Sequence, residues 1–320
     1  MTLTLTFLGN TAAAPGAAAP IPTPAALVDA LNNTFGRHEG KRASHAKGFC
    51  AAGEFTPSPD AARIVHSPLF AQGPLPATLR FSVGGGNPNV SDKSRTVRGL
   101  AIRLGAGAEN YDLVLVSEPV FFAATPASFV SFLQARVADP ATGKPDPARI
   151  AAHNAAYPDG TRQPALLAAH PAPASYATSP YFSNNAFIFE NAAKKRQHAR
   201  IVVEPAAGIR YLTDDEEKTL PDSFLQAELA ARAQRGAVDF TVYAQLPASG
   251  DSLTDGSTPW AGAGKVALGR LRVTQAGAGN GCDSLVFMPV TLPAGITASD
   301  DPILQSRAAA YAVSLSRRAK

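Results

Sequence analysis

The 320-residue sequence is poor in cysteine, has no long apolar run and has no long block of like charge. Its two cysteines, Cys50 and Cys282, have no C-x-x-C metal-ligand spacing and allow one disulfide or none, so the redox compartment stays open. No run approaches the roughly 18 apolar residues that span a bilayer, and we expect no membrane insertion. The net charge of +4 comes from scattered basic residues, whereas nucleic-acid binders concentrate Lys and Arg on one face. We therefore expect no nucleic-acid partner.

The hydrophobic content of 45% is sufficient for a sizeable core. Residues 1–23 are rich in Ala and Pro and lack the basic start of a secretory signal, so we expect a flexible leader. Such a leader is compatible with a cytoplasmic or a periplasmic location. Residues 24–320 are predicted to form a single domain.

Apolar segments typical of strands come in groups rather than in alternation with helices, which favours an α+β protein with an antiparallel sheet or closed barrel. The predicted strands are residues 78–84, 99–105, 111–122, 186–191, 199–205, 237–247 and 265–273. The predicted helices are residues 24–36, 126–140, 213–236 and 300–320. The Pro-rich tract 140–182 has little periodicity and is expected to cross the surface in an extended form.

Two short patterns contain residues suited to chemistry, although each has a simpler interpretation on its own. Arg42 and His45 lie in the irregular stretch "RASHAKGFCAAG", where an isolated histidine most often belongs to a surface loop. Arg307, Tyr311 and Arg318 lie at spacings that place them on much the same face of the last helix, which could be a chance pairing on a surface. A functional interpretation needs partners elsewhere in the chain.

Those partners are found in six ordered motifs, through which the chain resembles the catalase family and, more closely, its small haem-containing catalase-related peroxidases. The motifs are R-x-x-H-A-K-G at 42–48, RFS at 80–82, VRGLAIRL at 97–104, DLV with PVFF within 112–122, F-x-x-F at 129–132 and DPILQSRAAAY at 301–311. The resemblance extends from about Phe35 to Arg318. It implies a catalase-like antiparallel β-barrel core with surrounding helices, without the C-terminal helical domain of large catalases, and haem b as the cofactor.

The same resemblance implies roles for individual residues. His45 corresponds to the distal haem histidine, and Ser82 to the serine that accepts a hydrogen bond from it. Tyr311 corresponds to the proximal iron ligand, with Arg307 stabilising its phenolate. The remaining cofactor contacts implied are the propionate-binding Arg42, Arg80 and Arg318 and the aromatic Phe129 beside the porphyrin.

These residue types suit peroxide chemistry. A neutral imidazole can take a proton from the inner oxygen of peroxide and give it to the outer one, and such acid–base help contributes about 10²- to 10⁴-fold. A phenol with a reference pKa near 10 must lose its proton to bind iron, which a cationic neighbour favours. We therefore expect a peroxidase that acts through a ferryl intermediate on hydrogen peroxide or organic hydroperoxides, with a small organic electron donor.

The chain departs from the large catalases at the position of their distal asparagine, which falls on Val116. Valine cannot donate the hydrogen bond that positions a second peroxide, so we expect weak catalase activity. Ser117 or Glu118 could replace this donor, although strand alternation turns one of them away. Thr96 stands where the large enzymes have an acidic channel residue. A monomer or homodimer is expected.

Two alternatives remain open from the sequence. One is a fatty-acid hydroperoxide isomerase or dehydratase, like the allene oxide synthases related to catalases, and the other is a non-catalytic haem-binding protein. The other five histidines are predicted to lie on the surface, and Trp260 is predicted to pack on a loop. These histidines are His38, His66, His153, His170 and His198.

Overall fold

Eight strands close into an antiparallel barrel in the computed structural model, which describes residues 20–105, 109–236, 238–277 and 281–318. Around the barrel the order is β7-β5-β4-β3-β2-β1-β9-β8, and β8 pairs with β7 to complete the ring. Two further strands, β6 and β10, extend from one end of β7. The strands are β1 (Gly48–Pro57), β2 (Leu75–Val83), β3 (Arg98–Leu104), β4 (Tyr111–Val116), β5 (Tyr181–Phe182), β6 (Phe187–Glu190), β7 (Arg196–Pro205), β8 (Val238–Gln245), β9 (Lys265–Ala276) and β10 (Ile296–Ala298).

Side chains alternate between the two faces of each strand, so that one face forms the apolar interior of the barrel and the helices cover the other. Cross-strand rows such as Phe81, Leu100 and Leu115 belong to the buried core. The adjacent row, Ser82 beside Gly99 beside Val116, carries small side chains. Because neighbouring residues on a strand point to opposite faces, this second row lies outside the barrel wall. The functional site is built on that outer face.

Eight α-helices surround the barrel in the described part of the chain. They are α1 (Pro24–Phe35), α2 (Pro68–Ala71), α3 (Pro126–Ala135), α4 (Pro147–Ala156), α5 (Arg162–Ala168), α6 (Asp214–Thr219), α7 (Phe224–Arg235) and α8 (Pro302–Arg318). Helix α1 packs against α3 and α8. Asp301 caps α8, since its Oδ1 accepts hydrogen bonds from the backbone N–H groups of Ile303 (2.8 Å) and Leu304 (3.3 Å). No helix among the described residues has the length and apolarity to cross a membrane.

Three of the predicted segments have a different structure. Residues 213–236 form two helices, α6 and α7, because Pro221 cannot continue a helix. The tract 140–182 is not an extended crossing: Pro147 and its cap Asp146 start α4, and α5 follows. Strand β4 ends at Val116, so residues 117–122 are irregular. Most of the expected flexible leader, residues 1–19, lies outside the described residues.

Strand β1 was missing from the prediction because it is rich in small residues. One of them, Gly53, lies where the register with β9 shifts. A Cβ added there would approach the carbonyl oxygen of Arg272 to 2.4 Å. Glycine is therefore needed for the close approach of two backbones, a requirement that hydrophobic periodicity does not report.

The two cysteines form a buried disulfide, with Cα atoms 5.6 Å apart. This bond links Cys50 on β1 to Cys282 in the segment that follows β9. The prediction of surface histidines is wrong for His153, which is 4% exposed and lies within hydrogen-bond distance of Ser131 Oγ (2.9 Å to Nδ1). Phe132 and Tyr157 pack against its ring, which accounts for the burial. Trp260 packs under Arg200, as a packing role predicts.

Candidate active site

A cavity of about 640 Å³ lies between the outer face of the barrel and helices α1, α3 and α8. Its volume is within the range of cofactor and ligand sites in proteins. Side chains from β2, β3 and β4 form one wall, α8 contributes another, and residues 285–287 contribute a third. Every residue that the sequence proposed for the site lines this cavity: His45, Ser82, Arg42, Arg80, Phe129, Arg307, Tyr311 and Arg318.

His45 lies in the loop before β1 and has a left-handed backbone conformation, with φ of 55°. Such a conformation is uncommon outside glycine and is found where surrounding structure holds a functional side chain. Its Nδ1 lies 3.0 Å from Ser82 Oγ. Space for this contact exists because β3 has a glycine there: a Cβ on Gly99 would lie 2.4 Å from Ser82 Oγ and 2.6 Å from His45 Nδ1.

Burial, the largest cause, and the positive charges of Arg80, Arg307 and Arg42 together lower the pKa of His45 to about 3. Both causes disfavour the imidazolium form. The His45 side chain is therefore neutral near pH 7, which leaves one ring nitrogen with a free lone pair. A group in this state can accept a proton and return it.

Tyr311 faces the cavity from α8, and the guanidinium of Arg307, one helical turn earlier, is hydrogen-bonded to the Tyr311 oxygen. Arg307 Nη2 donates a hydrogen bond to Tyr311 Oη (2.6 Å), and Arg307 Nη1 donates to Asn185 Oδ1 (2.8 Å). Asn185 Nδ2 in turn donates to Asp301 Oδ2 (2.7 Å). The network fixes the Arg307 guanidinium beside the Tyr311 oxygen.

Asn185 and Asp301 were not among the residues that the sequence singled out. Asp301 was interpreted only as part of a helix start, and it does cap α8 with its other oxygen. Asn185 belongs to an adjacent pair of asparagines between β5 and β6. The signal available in the sequence was the adjacent pair of asparagines between apolar segments, and the structure buries both of them, each only 3% exposed.

Three arginines form a cationic group at another part of the cavity. Burial, the largest cause, and repulsion from Arg80 and Arg318 together lower the pKa of Arg42 to about 9. Arg42 donates to the carbonyl oxygen of Leu285 (2.8 Å). Arg80 is only 4% exposed, and its Nε has no hydrogen-bond partner among the described residues. A buried guanidinium with an unused donor is suited to a carboxylate ligand.

The sequence proposed Phe129 for the site and interpreted its aromatic neighbours as core. All four phenylalanines line the cavity and are half-buried: Phe121, Phe122, Phe129 and Phe132. The rings of Phe122 and Phe129 stack with centroids 5.3 Å apart. The aromatic wall is thus broader than the sequence motifs suggested.

Val116 lines the cavity, as does Thr96, whereas Ser117 and Glu118 do not. Ser117 Oγ accepts a hydrogen bond from the backbone N–H of Arg98 (2.9 Å). Glu118 lies in a separate small cavity, with its Oε1 3.3 Å from His170 Nε2. Neither Ser117 nor Glu118 is therefore placed to replace the missing donor, because both side chains are engaged outside the cavity.

Sequence comparisons agree with the resemblance found in the motifs. The catalase family model matches residues 25–319. A catalase-related peroxidase of Synechococcus elongatus is 35% identical over 309 residues, which cover 95% of this chain and 91% of the relative. A catalase-related peroxidase of Mycolicibacterium paratuberculosis is 33% identical over 300 residues, covering 92% and 95%.

Solved structures show the same fold. A fungal catalase superposes with a TM-score of 0.78 at 22% identity, covering 88% of this chain. Catalase A from Saccharomyces cerevisiae gives a TM-score of 0.78 at 23% identity, again covering 88%. The chain spans about 60% of these catalase chains, 60% and 62% respectively. The prediction of a catalase-like antiparallel barrel with surrounding helices is confirmed.

Proposed function

Since this chain belongs to the catalase family, we propose that it is a haem peroxidase that reduces hydrogen peroxide or an organic hydroperoxide with an organic electron donor. The observation that carries this proposal is the pairing of two side chains across one cavity. His45 is held neutral beside Ser82 on the barrel side, and Tyr311 is held by Arg307 on the α8 side.

The residues lining the cavity fit haem b. Two propionates would pair with Arg42, Arg80 and Arg318, and the unpartnered Nε of buried Arg80 supports this assignment. Tyr311 offers an oxygen ligand for ferric iron, and the aromatic and aliphatic lining suits a porphyrin face. Bound there, haem would supply the iron that takes up oxidising equivalents from peroxide.

His45 would move the proton that peroxide cleavage requires. When Nδ1 carries the ring hydrogen and donates it to Ser82 Oγ, Nε2 has its lone pair free. Nε2 can then accept a proton from one peroxide oxygen and return it to the other, so that water leaves. Because the pKa of His45 is lowered, this nitrogen is unprotonated at the start of the cycle.

Arg307 would donate its hydrogen bond to the oxygen that Tyr311 offers to iron. A hydrogen bond between a cation and an oxygen anion is stronger than one between neutral groups. The bond from Arg307 to Asn185 holds the guanidinium in place when the phenol loses its proton. An anionic oxygen ligand favours the ferric state, in which a peroxidase meets its substrate.

Hydrogen peroxide dismutation would be weak, because Val116 offers no hydrogen-bond donor and neither Ser117 nor Glu118 points into the cavity. The buried disulfide favours an oxidising compartment, which among the two locations considered is the periplasm. Assembly as a monomer or homodimer is part of the same proposal.

The test is spectroscopy and turnover of the haem-loaded protein. Wild type, His45→Gln, Tyr311→Phe and the control His66→Gln are compared, since His66 is exposed and lies outside the cavity. We expect Tyr311→Phe to change the ferric absorption spectrum and His45→Gln to lower guaiacol oxidation by about 10²- to 10⁴-fold per bound haem. The control should match wild type. Equal activity of His45→Gln and wild type would refute the proposal, as would a spectrum indifferent to Tyr311.

Oxygen evolution from hydrogen peroxide tests the distal pocket. Wild type should evolve oxygen slowly relative to its guaiacol turnover, and Val116→Asn should raise oxygen evolution, because a donor then reaches the cavity. Rapid oxygen evolution by wild type would show that a donor other than residue 116 positions the second peroxide.

A further inference from the structure

We propose that the organic co-substrate of this enzyme is an anion, a carboxylate with an apolar body, and that Arg136 binds its carboxylate at the cavity wall, assisted by Arg95. This inference rests on the proposed peroxidase function and specifies the class of its substrate. It follows from the distribution of charge around the cavity, taken with the contacts of two arginines that the haem chemistry does not use.

The cavity lining is strongly one-sided in charge. Six arginines line the cavity, and no Asp or Glu does: Arg42, Arg80, Arg95, Arg136, Arg307 and Arg318. Every acidic residue of the chain lies within the described residues, so this comparison covers all of them. Two propionates and a phenolate would offset three positive charges. The cavity would therefore keep an excess of cations after haem has bound, which attracts anions.

Arg136 stands apart from the propionate group. It follows the last residue of α3, and desolvation by burial alone lowers its pKa, without a contribution from the three propionate arginines. Its guanidinium carbon lies 3.4 Å from the centroid of the Phe132 ring, and its Nη1 donates to the carbonyl oxygen of Phe132 (3.1 Å). These two contacts hold the guanidinium in one position. No acidic side chain forms an ion pair with it in the part of the chain described.

A guanidinium has five N–H donors in a planar fork, and that of Arg136 uses one of them on a backbone carbonyl. The remaining donors match the geometry of a carboxylate, which can accept two parallel hydrogen bonds. An anion beside Arg136 would also offset a positive charge that partial burial leaves poorly solvated. The site is thus preorganised for a carboxylate.

Arg95 supplies a second cation on an exposed part of the cavity wall. Its Nη1 donates to the carbonyl oxygen of Ala168 (3.1 Å), and the side chain forms no ion pair among the described residues. An exposed charge contributes more to the attraction of a ligand than to its final affinity. Arg95 therefore draws the anion in, whereas half-buried Arg136 holds it.

The apolar side chains of the cavity wall determine what kind of ligand body fits beside Arg136. The apolar residues Phe129, Phe132, Leu31 and Leu167 line the same cavity as Arg136, and so does Leu315, an exposed residue of α8. Apolar walls with few well-placed polar groups are typical of sites for small organic molecules. The chemistry selected is an apolar or aromatic body with one carboxylate, present either on the electron donor or on the hydroperoxide.

The test uses pairs of substrates that differ only in charge. Ferulate and methyl ferulate serve as donors with hydrogen peroxide, and linoleic acid hydroperoxide and its methyl ester serve as oxidants with guaiacol. For at least one pair, wild type should prefer the acid over the ester by about 10-fold in kcat/KM, mainly through KM, as a charge-assisted hydrogen bond predicts. Arg136→Gln should remove most of this preference, and Arg136→Lys should keep part of it, because lysine retains the charge and loses the fork.

The matched control is Arg149→Gln, which removes an arginine of α4 that donates to the carbonyl oxygen of Val137 and lies outside the cavity. It should leave the acid-to-ester ratio unchanged. Arg95→Gln is a second, exposed variant that should lower the ratio without affecting folding. Calorimetric titration of ferulate and methyl ferulate into the haem-loaded protein gives a readout independent of turnover.

Each outcome has a defined meaning. Loss of selectivity in the donor pair identifies an anionic reductant, and loss in the hydroperoxide pair identifies an anionic oxidant. If wild type oxidises guaiacol but shows no acid preference in either pair, or if Arg136→Gln keeps the preference, the anion site is refuted and the peroxidase function stands. If wild type oxidises no donor at all, the proposed function itself fails.

Discussion

Replacing Gly99 by alanine tests whether the position of His45 determines activity. The added Cβ would lie 2.4 Å from Ser82 Oγ and 2.6 Å from His45 Nδ1, well inside ordinary contact distances of about 3.4–4 Å. Gly99 is paired on both sides, with Ser82 on β2 and Val116 on β4, so the strand backbone cannot easily retreat. The two side chains must therefore move by about 1 Å.

A displacement of about 1 Å in a catalytic group can lower activity by about 10²-fold. Overpacking of this kind also destabilises a protein by about 1–3 kcal/mol, which for a chain of this length lowers Tm by about 2–5 °C. We expect Gly99→Ala to fold, to bind haem and to oxidise guaiacol about 100-fold more slowly per bound haem. The assay is steady-state kcat/KM, with haem content measured by absorption in the same sample.

The control is Gly73→Ala, because a Cβ at Gly73 meets no atom within 4 Å. It should match wild type in both activity and Tm. Wild-type activity of Gly99→Ala, with haem content unchanged, would refute the reasoning that the contact between His45 and Ser82 sets the catalytic geometry. Loss of haem without loss of activity per haem would refute it as well.

Three further predictions follow from the same contacts. Arg307→Gln should weaken haem retention and shift the ferric spectrum, whereas Arg317→Gln, on the same helix but paired with an aspartate outside the cavity, should do neither. Removing the disulfide with Cys282→Ser opens a loop of 232 residues, so thermal unfolding should show a loss of up to about 5 kcal/mol, or about 7 °C in Tm; an unchanged Tm would contradict this. Because the pKa of His45 is lowered to about 3 in the folded state, kcat/KM should stay flat from pH 7 to about pH 4 and fall below it, while this group's contribution to stability declines as pH drops from about 6.5 towards 3. A loss of activity centred near pH 6.5 would instead show an unperturbed imidazole.

Much of the candidate site could be predicted because its residues lie in short local motifs. The spacing of Arg307 and Tyr311 on one helix brings their side chains together wherever that helix packs. In the structure, Arg307 Nη2 lies 2.6 Å from Tyr311 Oη. The motif containing Arg42 and His45 likewise keeps its order along the chain. Asn185 could not be identified from the sequence, because its role depends on a hydrogen bond from Arg307 of α8, which lies 122 residues away in the chain.

Errors in the fold have similar causes. Strand β1 has small residues where two backbones approach closely, so its hydrophobic pattern is weak. Pro221 is a local signal for the break between α6 and α7, but the acidic helix start at residues 213–217 favoured a single continuous helix. His153 is buried by the side chains of Phe132 and Tyr157, which only packing brings to it.

By itself, the sequence determined the family, the barrel class, the last helix and the eight residues proposed for the site, all of which face the cavity. Those features depend on side-chain type and on spacing within one strand or helix, which the order of residues specifies directly. The tertiary structure alone decided the disulfide, the network from Asp301 through Asn185 to Arg307, and the excess of cations around the cavity. Each of these depends on distances between residues far apart in the chain, and such distances arise only when the barrel closes and the helices pack on it.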